Sequence, residues 1–353
     1  MKIGLVIYGS LNTMSGGYLY DRKLVESLRK RGDQVEIISL PWRNYVAHLM
    51  DNFYFHLPHG FDLIIEDELN HPSLLAANAE EHPCPIVSLV HNLHLLEPRA
   101  AWQNNLYRIV EQKYLETVDG FIFNSTTTQK AVQTLIGDKK AFIIANPPTD
   151  RFSSQMDENQ IRSRAKESNP LRLLFLGNVI PLKGLHMLLE ALRHQTFNFR
   201  LDVVGSLTVD PTYARKMQKK AAAYGLSSKV FFHGVLDNEP LIERLEYAQV
   251  MVIPSSYEGF GIAYLEGMGF GLPAIARTSG AAFEFITDGE NGYLIPPENS
   301  SALAERLTML ANDRELLERM SINALQRYQQ QPIWEQTVDC VRDFILQMIN
   351  TEQ

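Results

Sequence analysis

A glycine-rich loop with two glutamates is the strongest candidate for chemistry in this 353-residue chain. It spans Ser255–Gly269, follows a short apolar run, and carries Glu258 before and Glu266 after a predicted helix start. Free main-chain N–H groups at a helix start bind anions such as a diphosphate, and the residues that would supply them are Gly259, Phe260 and Gly261. Each carboxylate suits a pair of sugar hydroxyls. In the alternative interpretation both glutamates lie on the surface, but Glu266 has small and apolar neighbours, where an unpaired carboxylate is costly.

A second glycine-containing loop follows the first apolar run of the chain. Ile3–Tyr8 leads into Gly9–Gly17, and a helical pattern begins at about Tyr18. The pair Gly16 and Gly17 would let main-chain N–H groups approach an anion closely. The spacing matches neither the dinucleotide-binding glycine pattern nor a P-loop, so a flexible turn is an equally good interpretation.

Polar residues at two other predicted strand ends are further candidates. His91 ends the apolar run Ile86–Val90, and from the residues alone it is either a satisfied strand-end histidine or half of a His91-x-x-His94 metal pair. The pair lacks a nearby third ligand and is weak evidence for zinc. Glu68, the last of three consecutive acids, indicates an acceptor-side loop or an acid at a helix start. The chain contains no Asp-x-Asp, so we expect neither a metal nor another cofactor.

Composition restricts the class of protein in which these residues work. Hydrophobic residues make up 45% and charged residues 21%, as in packed soluble proteins, and the formal net charge is −8. An acidic chain is a poor general nucleic-acid binder, and the apolar content is too high for a disordered one. No run approaches the roughly 20 apolar residues that cross a bilayer. We expect Cys84 and Cys340 to be reduced and the protein to be cytoplasmic.

Alternating strand and helix patterns must position the loops. In the first half the predicted strands are Ile3–Tyr8, Val35–Leu40, Leu63–Ile65, Ile86–Val90, Gly120–Phe123 and Ala141–Ala145. In the second half they are Leu171–Leu176, Phe199–Val204, Lys229–Phe232, Val250–Ile253, Pro273–Ala276 and Tyr293–Ile295. Apolar strands separated by helices predict parallel sheets covered on both faces.

The sequence predicts two domains. Residues 1–150 form the first, the polar stretch Thr149–Asn169 is the predicted linker, and residues 170–332 form the second. A final helix, at about 333–353, is expected to return to the first domain. Ligands of parallel sheets bind beyond the carboxyl ends of the strands, so two facing Rossmann-like halves predict a central cleft.

Several motifs together resemble one family. The segment E-G-F-G-x-x-x-L-E-G-M, which contains Glu258 and Glu266, resembles the signature of GT4 retaining glycosyltransferases, the group 1 glycosyl transferases with the α/β GT-B fold. The further matching segments are Gly16-Gly17, Ser88–His91, Asp119–Ser125, Leu174–Asn178, Pro181–Gly184, Glu284–Gly292 and Trp334-Glu335. They are spread over the whole chain in the order of the family.

This resemblance implies a role for each matched residue. Lys183 would neutralise the donor diphosphate, and Gly17 would present its N–H group to it. Glu266 would accept hydrogen bonds from the ribose and Glu258 from the transferred sugar. His91 would lie near the reacting centre. Ser125 and Glu68 are assigned to the acceptor side.

One position departs from the family pattern. The basic loop of the family usually begins Gly-Arg, but Asn178 stands at the arginine position and brings no charge. Lys183 is then the matched cation, and Arg277 is a candidate for a second positive charge.

The resemblance implies a retaining, metal-independent transfer of a hexose from a UDP- or GDP-sugar to a hydroxyl acceptor. The alternatives are a GT-B sugar-nucleotide epimerase and a non-catalytic nucleotide-sugar-binding protein. Peripheral membrane contact through the predicted helix 100–118 is a further expectation. A surface helix packed on its own sheet is preferred, because Glu97, Glu111 and Glu116 dilute the positive charge.

Overall fold

The computed structural model describes residues 1–13, 15–97, 99, 101–148, 150–152 and 156–351. These residues form two compact units. The first comprises Met1–Pro148 together with Pro332–Gln353, and the second comprises Thr149–Gln331.

The first unit contains a parallel sheet in the order β2-β1-β3-β4-β5-β6. Its strands are β1 (Lys2–Tyr8), β2 (Gln34–Leu40), β3 (Leu63–Asp67), β4 (Ile86–Val90), β5 (Gly120–Phe123) and β6 (Ala141–Ile144). Its helices in this part of the chain are α1 (Gly16–Lys30), α2 (Tyr45–Asp51), α3 (His71–Ala79), α4 (Ala101–Thr117) and α5 (Thr126–Ile136). Along β1, Leu5 and Ile7 join one apolar cluster while Val6 and Tyr8 join another, so the strand is buried on both faces.

The second unit contains a parallel sheet in the order β12-β11-β10-β7-β8-β9. Its strands are β7 (Leu171–Leu176), β8 (Phe199–Val204), β9 (Val230–Gly234), β10 (Val250–Val252), β11 (Ala274–Arg277) and β12 (Gly292–Ile295). Its helices are α6 (Glu158–Lys166), α7 (Leu185–Leu192), α8 (Pro211–Ala223), α9 (Asn238–Tyr247), α10 (Ile262–Gly269), α11 (Ser300–Asn312) and α12 (Arg314–Gln329). The predicted α/β architecture of two Rossmann-like sheets is confirmed.

The last helix, α13 (Trp334–Thr351), belongs to the first unit. Val338, Val341 and Ile345 are fully buried in the same apolar cluster as residues of α1. Arg342 pairs with the buried carboxylate of Asp33 at 2.7 Å. This helix therefore completes a core that begins at residue 1.

The predicted linker Thr149–Asn169 contains the helix α6, so its interpretation as a plain linker is wrong. Asp157 and Gln160 form a reciprocal capping box at the start of this helix. Ile161, Arg164 and Ala165 are buried, and Arg164 donates to the main-chain oxygen of Phe270 at 2.6 Å. One buried face on a mostly polar helix gave too weak an apolar pattern to predict it. The short helices α2 and α3 were also missed.

Each sheet has one point at which the strand order reverses. In the first sheet it lies between β1 and β3, and in the second between β7 and β10. Loops that leave neighbouring strands in opposite directions open a crevice there, which is where doubly wound sheets bind ligands. In the part of the chain that the structure describes, no helix has the length and apolar character needed to cross a membrane.

Candidate functional site

Two predicted donor-site residues meet at the reversal point of the second sheet. Lys183 ends a 3₁₀ turn, Pro181–Lys183, after β7, and Glu258 lies in the loop after β10. The Lys183 Nζ donates to Glu258 Oε1 at 2.6 Å, and Ser255 Oγ donates to the same oxygen at 2.5 Å. The side chains are 23% and 12% exposed, so the pair can be reached by a ligand.

A close approach between the two loops fixes this pair. Gly184, which follows Lys183, has φ +73°, and a Cβ at this position would lie 2.1 Å from the Pro254 main-chain oxygen. The Ser256 N–H also donates to the Leu182 oxygen at 2.8 Å. Because only glycine fits this conformation and this gap, the loop after β7 packs directly on the loop after β10.

Glu266 lies on α10 and is paired with a residue that sequence reasoning missed. Arg151 Nη1 hydrogen-bonds to Glu266 Oε1, and its other terminal nitrogen reaches Asn238 Oδ1 at 3.4 Å. Burial raises the pKa of Glu266, and the charge and hydrogen bond of Arg151 only partly oppose this rise. Helix α10 begins at Ile262, and its N-cap residue, Gly261, provides no side-chain cap. Its first N–H groups therefore retain the capacity to bind an anion.

Phe260 and Asn178 lie in the same two loops, whereas Arg277 lies at the end of β11. The Phe260 side chain is buried in the core against Phe285, with ring centroids 5.4 Å apart, so only its main chain can contact a donor. Asn178 follows β7, and its Oδ1 accepts from the Ser206 N–H at 3.4 Å. Arg277 is buried and pairs with Glu298 at 3.0 Å. Among the described residues, Arg277 forms no ion pair with Glu258.

The first unit gathers His91, Gly17 and Asp21 at its own reversal point. A Cβ at Gly17 would lie 3.1 Å from the ring of His91, so the glycine lets α1 pass close to the imidazole. His91 Nε2 and the fully buried Asp21 Oδ1 are 2.7 Å apart. Asp21 lies one helical turn after Gly17, which is why it faces the same ring. Gly16 and Gly17 open α1, where Ser15 caps the N–H of Tyr18.

The charge of Asp21 controls the protonation of His91. Burial lowers the pKa of His91, but the carboxylate of Asp21, aided by the charges of Asp67 and Glu68, outweighs it and the pKa rises to about 9. The imidazole is thus protonated at neutral pH. It can donate a hydrogen bond but cannot act as a base.

Glu68 and His94 belong to a second buried cluster beside the first. One ligand atom from each of Glu68, His71, His94 and Glu111 lies within 4.8 Å of the others. The alternative interpretation of His91 and His94 as a metal pair is therefore not supported, because His91 joins Asp21 and Asp67 instead. The two histidines are divided between clusters because the chain turns after β4 into a 3₁₀ turn, His94–Leu96.

Ser125 has a structural environment. It is fully buried, and its Oγ accepts from the Thr128 N–H at 3.0 Å at the start of α5. The prediction that it lines an acceptor site lacks support, because its hydroxyl is engaged in capping the helix.

The long helix α4 exposes an apolar face. Trp102, Leu106 and Ile109 are 69%, 41% and 56% exposed. The interpretation of α4 as a helix packed on its own sheet with a diluted positive face is wrong in one respect, since Glu111 is fully buried and does not reach the surface.

The second unit matches a known family. The family model described as glycosyl transferases group 1 covers residues 156–327. These residues belong to glycosyl transferases group 1. The predicted resemblance to group 1 glycosyl transferases is confirmed over these residues, and with it the predicted class of enzyme, a glycosyltransferase.

Relatives extend the similarity beyond this unit. The chain is 29% identical over 290 residues to D-rhamnosyltransferase WbpZ of Pseudomonas aeruginosa, which covers 77% of this chain and 74% of that protein. It is 26% identical over 360 residues to phosphatidyl-myo-inositol mannosyltransferase of Mycobacterium leprae, covering 93% of each. Four further relatives are matched over only 34% to 60% of their own length.

The fold also matches that of a solved structure over nearly the whole chain. Anabaena Alr3699/HepE in complex with UDP-glucose aligns with a TM-score of 0.78 and 19% identity, over 98% of this chain and 100% of that one. At this identity the likeness shows the fold alone. The predicted GT-B fold is confirmed.

Proposed function

We propose that this protein is a retaining glycosyltransferase of the GT4 type that moves a hexose from a nucleoside-diphosphate sugar to a hydroxyl acceptor. The observation that carries the proposal is the Lys183–Glu258 pair at the reversal point of the second sheet. It combines a cation for a diphosphate with a carboxylate for sugar hydroxyls, next to a helix start.

Donor binding then exchanges one ion pair for two new sets of contacts. The diphosphate attracts Lys183 Nζ and the N–H groups at the start of α10, while Glu258 turns to hydroxyls of the sugar. Glu266 accepts the ribose hydroxyls and gives up part of its contact with Arg151. Negative charge grows on the leaving phosphate during transfer, and a fixed cation there lowers the barrier.

The reaction forms a C1–O bond to the acceptor and breaks the C1–O bond to the leaving phosphate on the same face of the sugar. The acceptor proton goes to the leaving phosphate oxygen, so no carboxylate nucleophile is required. Lys183 and the helix start supply the positive charge, and the transfer step uses no metal. In the first unit, His91 donates a hydrogen bond to a sugar or acceptor oxygen. Because its Nε2 is held by Asp21, the donor is the other nitrogen of the ring.

The names of relatives support a hexose as the transferred group. One is a rhamnosyltransferase, another a mannosyltransferase, and HepE binds UDP-glucose. The proposed donor is therefore either a UDP-hexose or a GDP-hexose.

A panel of UDP- and GDP-hexoses tests this function. The full chain is incubated with each donor, with and without hydroxyl acceptors, and nucleotide release and the anomeric configuration of the product are measured. We expect nucleotide release that depends on the acceptor and a product with the donor's configuration. An altered sugar without free nucleotide would indicate the epimerase, and donor binding with no turnover would indicate a binding protein.

We further propose that the acceptor is an amphiphile presented at a membrane surface. The exposed face of α4 is joined by the segment around α2, where Phe53 and Tyr54 are 71% and 79% exposed. Tyr45 of α2 packs on Tyr107 of α4 with ring centroids 4.3 Å apart, so the two stretches are neighbours. An apolar surface of this kind indicates a binding site, and the phosphatidyl-myo-inositol mannosyltransferase relative fits it by name.

Sedimentation with phosphatidylglycerol-containing vesicles tests the surface. The double variant Trp102→Ala/Phe53→Ala is expected to lose most of the vesicle-bound fraction. The matched control is Phe283→Ala, which removes a ring that is 54% exposed in the second unit. Equal binding of both variants would refute the assignment.

A further inference from the structure

The buried cluster of Glu68, His71, His94 and Glu111 is not used by the proposed sugar transfer. Glu68 and His71 follow β3, His94 follows β4, and Glu111 lies on α4, so three segments of the first unit meet there. Glu68 and His71 are almost completely buried, and Glu111 is fully buried. A solvated acidic surface therefore does not explain the cluster.

Its donor atoms are those of a zinc site. Two imidazoles and two carboxylates suit a four-coordinate Zn²⁺ ion. Zinc bond lengths place neighbouring nitrogen and oxygen ligands roughly 3.3–3.6 Å apart. The ligand atoms here lie within 4.8 Å of one another, so shifts of about 1 Å would close the shell.

Two groups in the cluster lack hydrogen-bond partners. The Glu68 Oε1 is buried and accepts no hydrogen bond. The carboxyl group of Glu68 as a whole also interacts with the carboxyl group of Glu111. His71 Nδ1 lies 3.1 Å from Glu68 Oε1 and also from the Glu68 main-chain oxygen. The ring nitrogens of His94 make no hydrogen bond to any residue that the structure describes. Orphaned donors and acceptors that converge inside a protein need a ligand.

The charges in the cluster also favour a bound cation. Glu68 and Glu111 form no ion pair with a lysine or arginine among the described residues. One divalent cation would balance two carboxylates while both imidazoles stay neutral. The neighbouring cluster is different, because Asp21 already has the protonated His91 as its counter-charge.

Outer contacts orient two of the ligands. His71 Nε2 is 2.9 Å from the hydroxyl of Tyr45, and Glu111 Oε2 accepts from the Leu95 N–H at 3.0 Å. Metal-bound histidines and carboxylates usually have such partners on their other atoms.

We propose that Glu68, His71, His94 and Glu111 bind one Zn²⁺ ion that holds the turn His94–Leu96 against α3 and α4. The site is separate from the sugar-transfer chemistry, so its failure would leave the proposed activity standing. The rival explanation is a proton shared by Glu68 and Glu111, with no metal.

Metal binding is measured on the full chain after dialysis against a chelator, with zinc alone as the ligand. We expect one tight equivalent by calorimetry and elemental analysis, and the intense visible bands of a four-coordinate site after Co²⁺ loading. His94→Ala and Glu111→Gln are each expected to weaken zinc binding by more than about 100-fold, beyond the effect of an outer contact. His94→Ala removes no ring hydrogen bond to the described residues, although it removes ring contacts with Tyr45 and Tyr107, so its folding is checked by circular dichroism.

Two controls separate this site from adventitious binding. His56→Ala removes a histidine of an exposed His–Glu pair, and Cys340→Ser removes the exposed thiol. Both are expected to keep the zinc equivalent. Absence of a tight equivalent in the unmodified chain, or its persistence in folded His94→Ala and Glu111→Gln, would overturn the site in favour of the shared proton.

Discussion

The two candidate regions balance charge in opposite ways. In the second unit each of the two predicted site glutamates forms an ion pair with a basic side chain, Glu258 with Lys183 and Glu266 with Arg151. In the first unit the buried acids Asp21 and Glu68 have only histidines as ion-pair partners among the described residues, and Glu111 has no ion-pair partner there. The two pairs of the second unit are neutral before any ligand arrives. The acids of the first unit would carry an excess of buried negative charge if all were ionised, and burial accordingly raises the pKa of Glu68 and Glu111.

This difference indicates what each region can do. An ion pair can be exchanged for a charged ligand at little cost, since new contacts replace the old ones. Buried carboxylates without a base must instead take up a proton or a metal ion. The second unit is therefore suited to binding an anionic donor, and the first to holding protons or cations in fixed places.

Removing the cation of the second unit is expected to have the largest effect on activity. Lys183→Ala is expected to lower kcat by roughly 10²–10³-fold, the usual cost of losing one group that stabilises charge in a transition state. Turnover at saturating donor measures it. Lys219→Ala, an exposed lysine on α8, is the control and should leave kcat unchanged. Near-normal turnover of Lys183→Ala would remove this residue from the diphosphate site.

Glu266→Ala tests whether the second pair serves the nucleotide. Hydrogen bonds to a charged group contribute about 1.5–3 kcal/mol, so we expect roughly 10–100-fold weaker nucleotide binding with a smaller change in kcat. Calorimetry with free UDP and GDP measures this affinity. Glu305→Ala on the exposed face of α11 is the control. Unchanged affinity would contradict the ribose assignment.

In the first unit the corresponding test is the protonation of His91. Its folded pKa is raised to about 9, above an ordinary value of about 6.5. The Asp21–His91 pair therefore stabilises the fold fully below about pH 6.5, and this stabilisation is lost as pH rises through about 9. The raised pKa corresponds to a loss in unfolding free energy on the order of 3 kcal/mol.

Asp21→Asn is expected to abolish most of that pH dependence and to lower the pKa of His91, because burial is then opposed only by the weaker effects of Asp67 and Glu68. NMR titration of the imidazole and denaturation at pH 6 and above 9 measure the two effects. Asp339→Asn, which alters an exposed ion pair with Arg31, serves as the control. A His91 that titrates near its ordinary value in the unmodified chain would refute the pairing.

The smallest effect is expected from adding a positive charge to the second unit. Asn178→Arg restores the cation that the family usually has, and one added partly exposed charge contact contributes up to about 1 kcal/mol. We expect nucleoside-diphosphate binding to tighten about fivefold and to become more salt-dependent. Asn178→Gln, which adds length without charge, should show neither change.

Apolar runs and local motifs were predictable from the sequence, and distant contacts were not. The strands Ile86–Val90 and Leu171–Leu176 coincide with β4 and β7 because every position except Ser88 and Arg172 is apolar. The Glu258–Glu266 spacing is contained in one loop and helix. Asp21 and His91 are 70 residues apart, and no periodicity joins them.

Arg151 was missed because it lies in the segment interpreted as a linker. One signal was available nearby, since Asp157 followed by Gln160 is a helix-start pattern that marks α6. Glu111 was placed on the surface of α4 from its charge alone. Its burial depends on where the chain turns after β4, which local sequence does not reveal.

The path of the chain through α13 affects how the protein is made. The second unit is one continuous stretch, so its sheet is complete once residue 331 has been synthesised. The first unit begins earlier but lacks Val338, Val341 and Ile345 until the ribosome has passed them. We expect the N-terminal sheet to wait, with part of its apolar face uncovered, while the inserted unit folds ahead of it. Such a nascent chain is most exposed to aggregation or proteolysis during the interval in which residues 149–331 are translated.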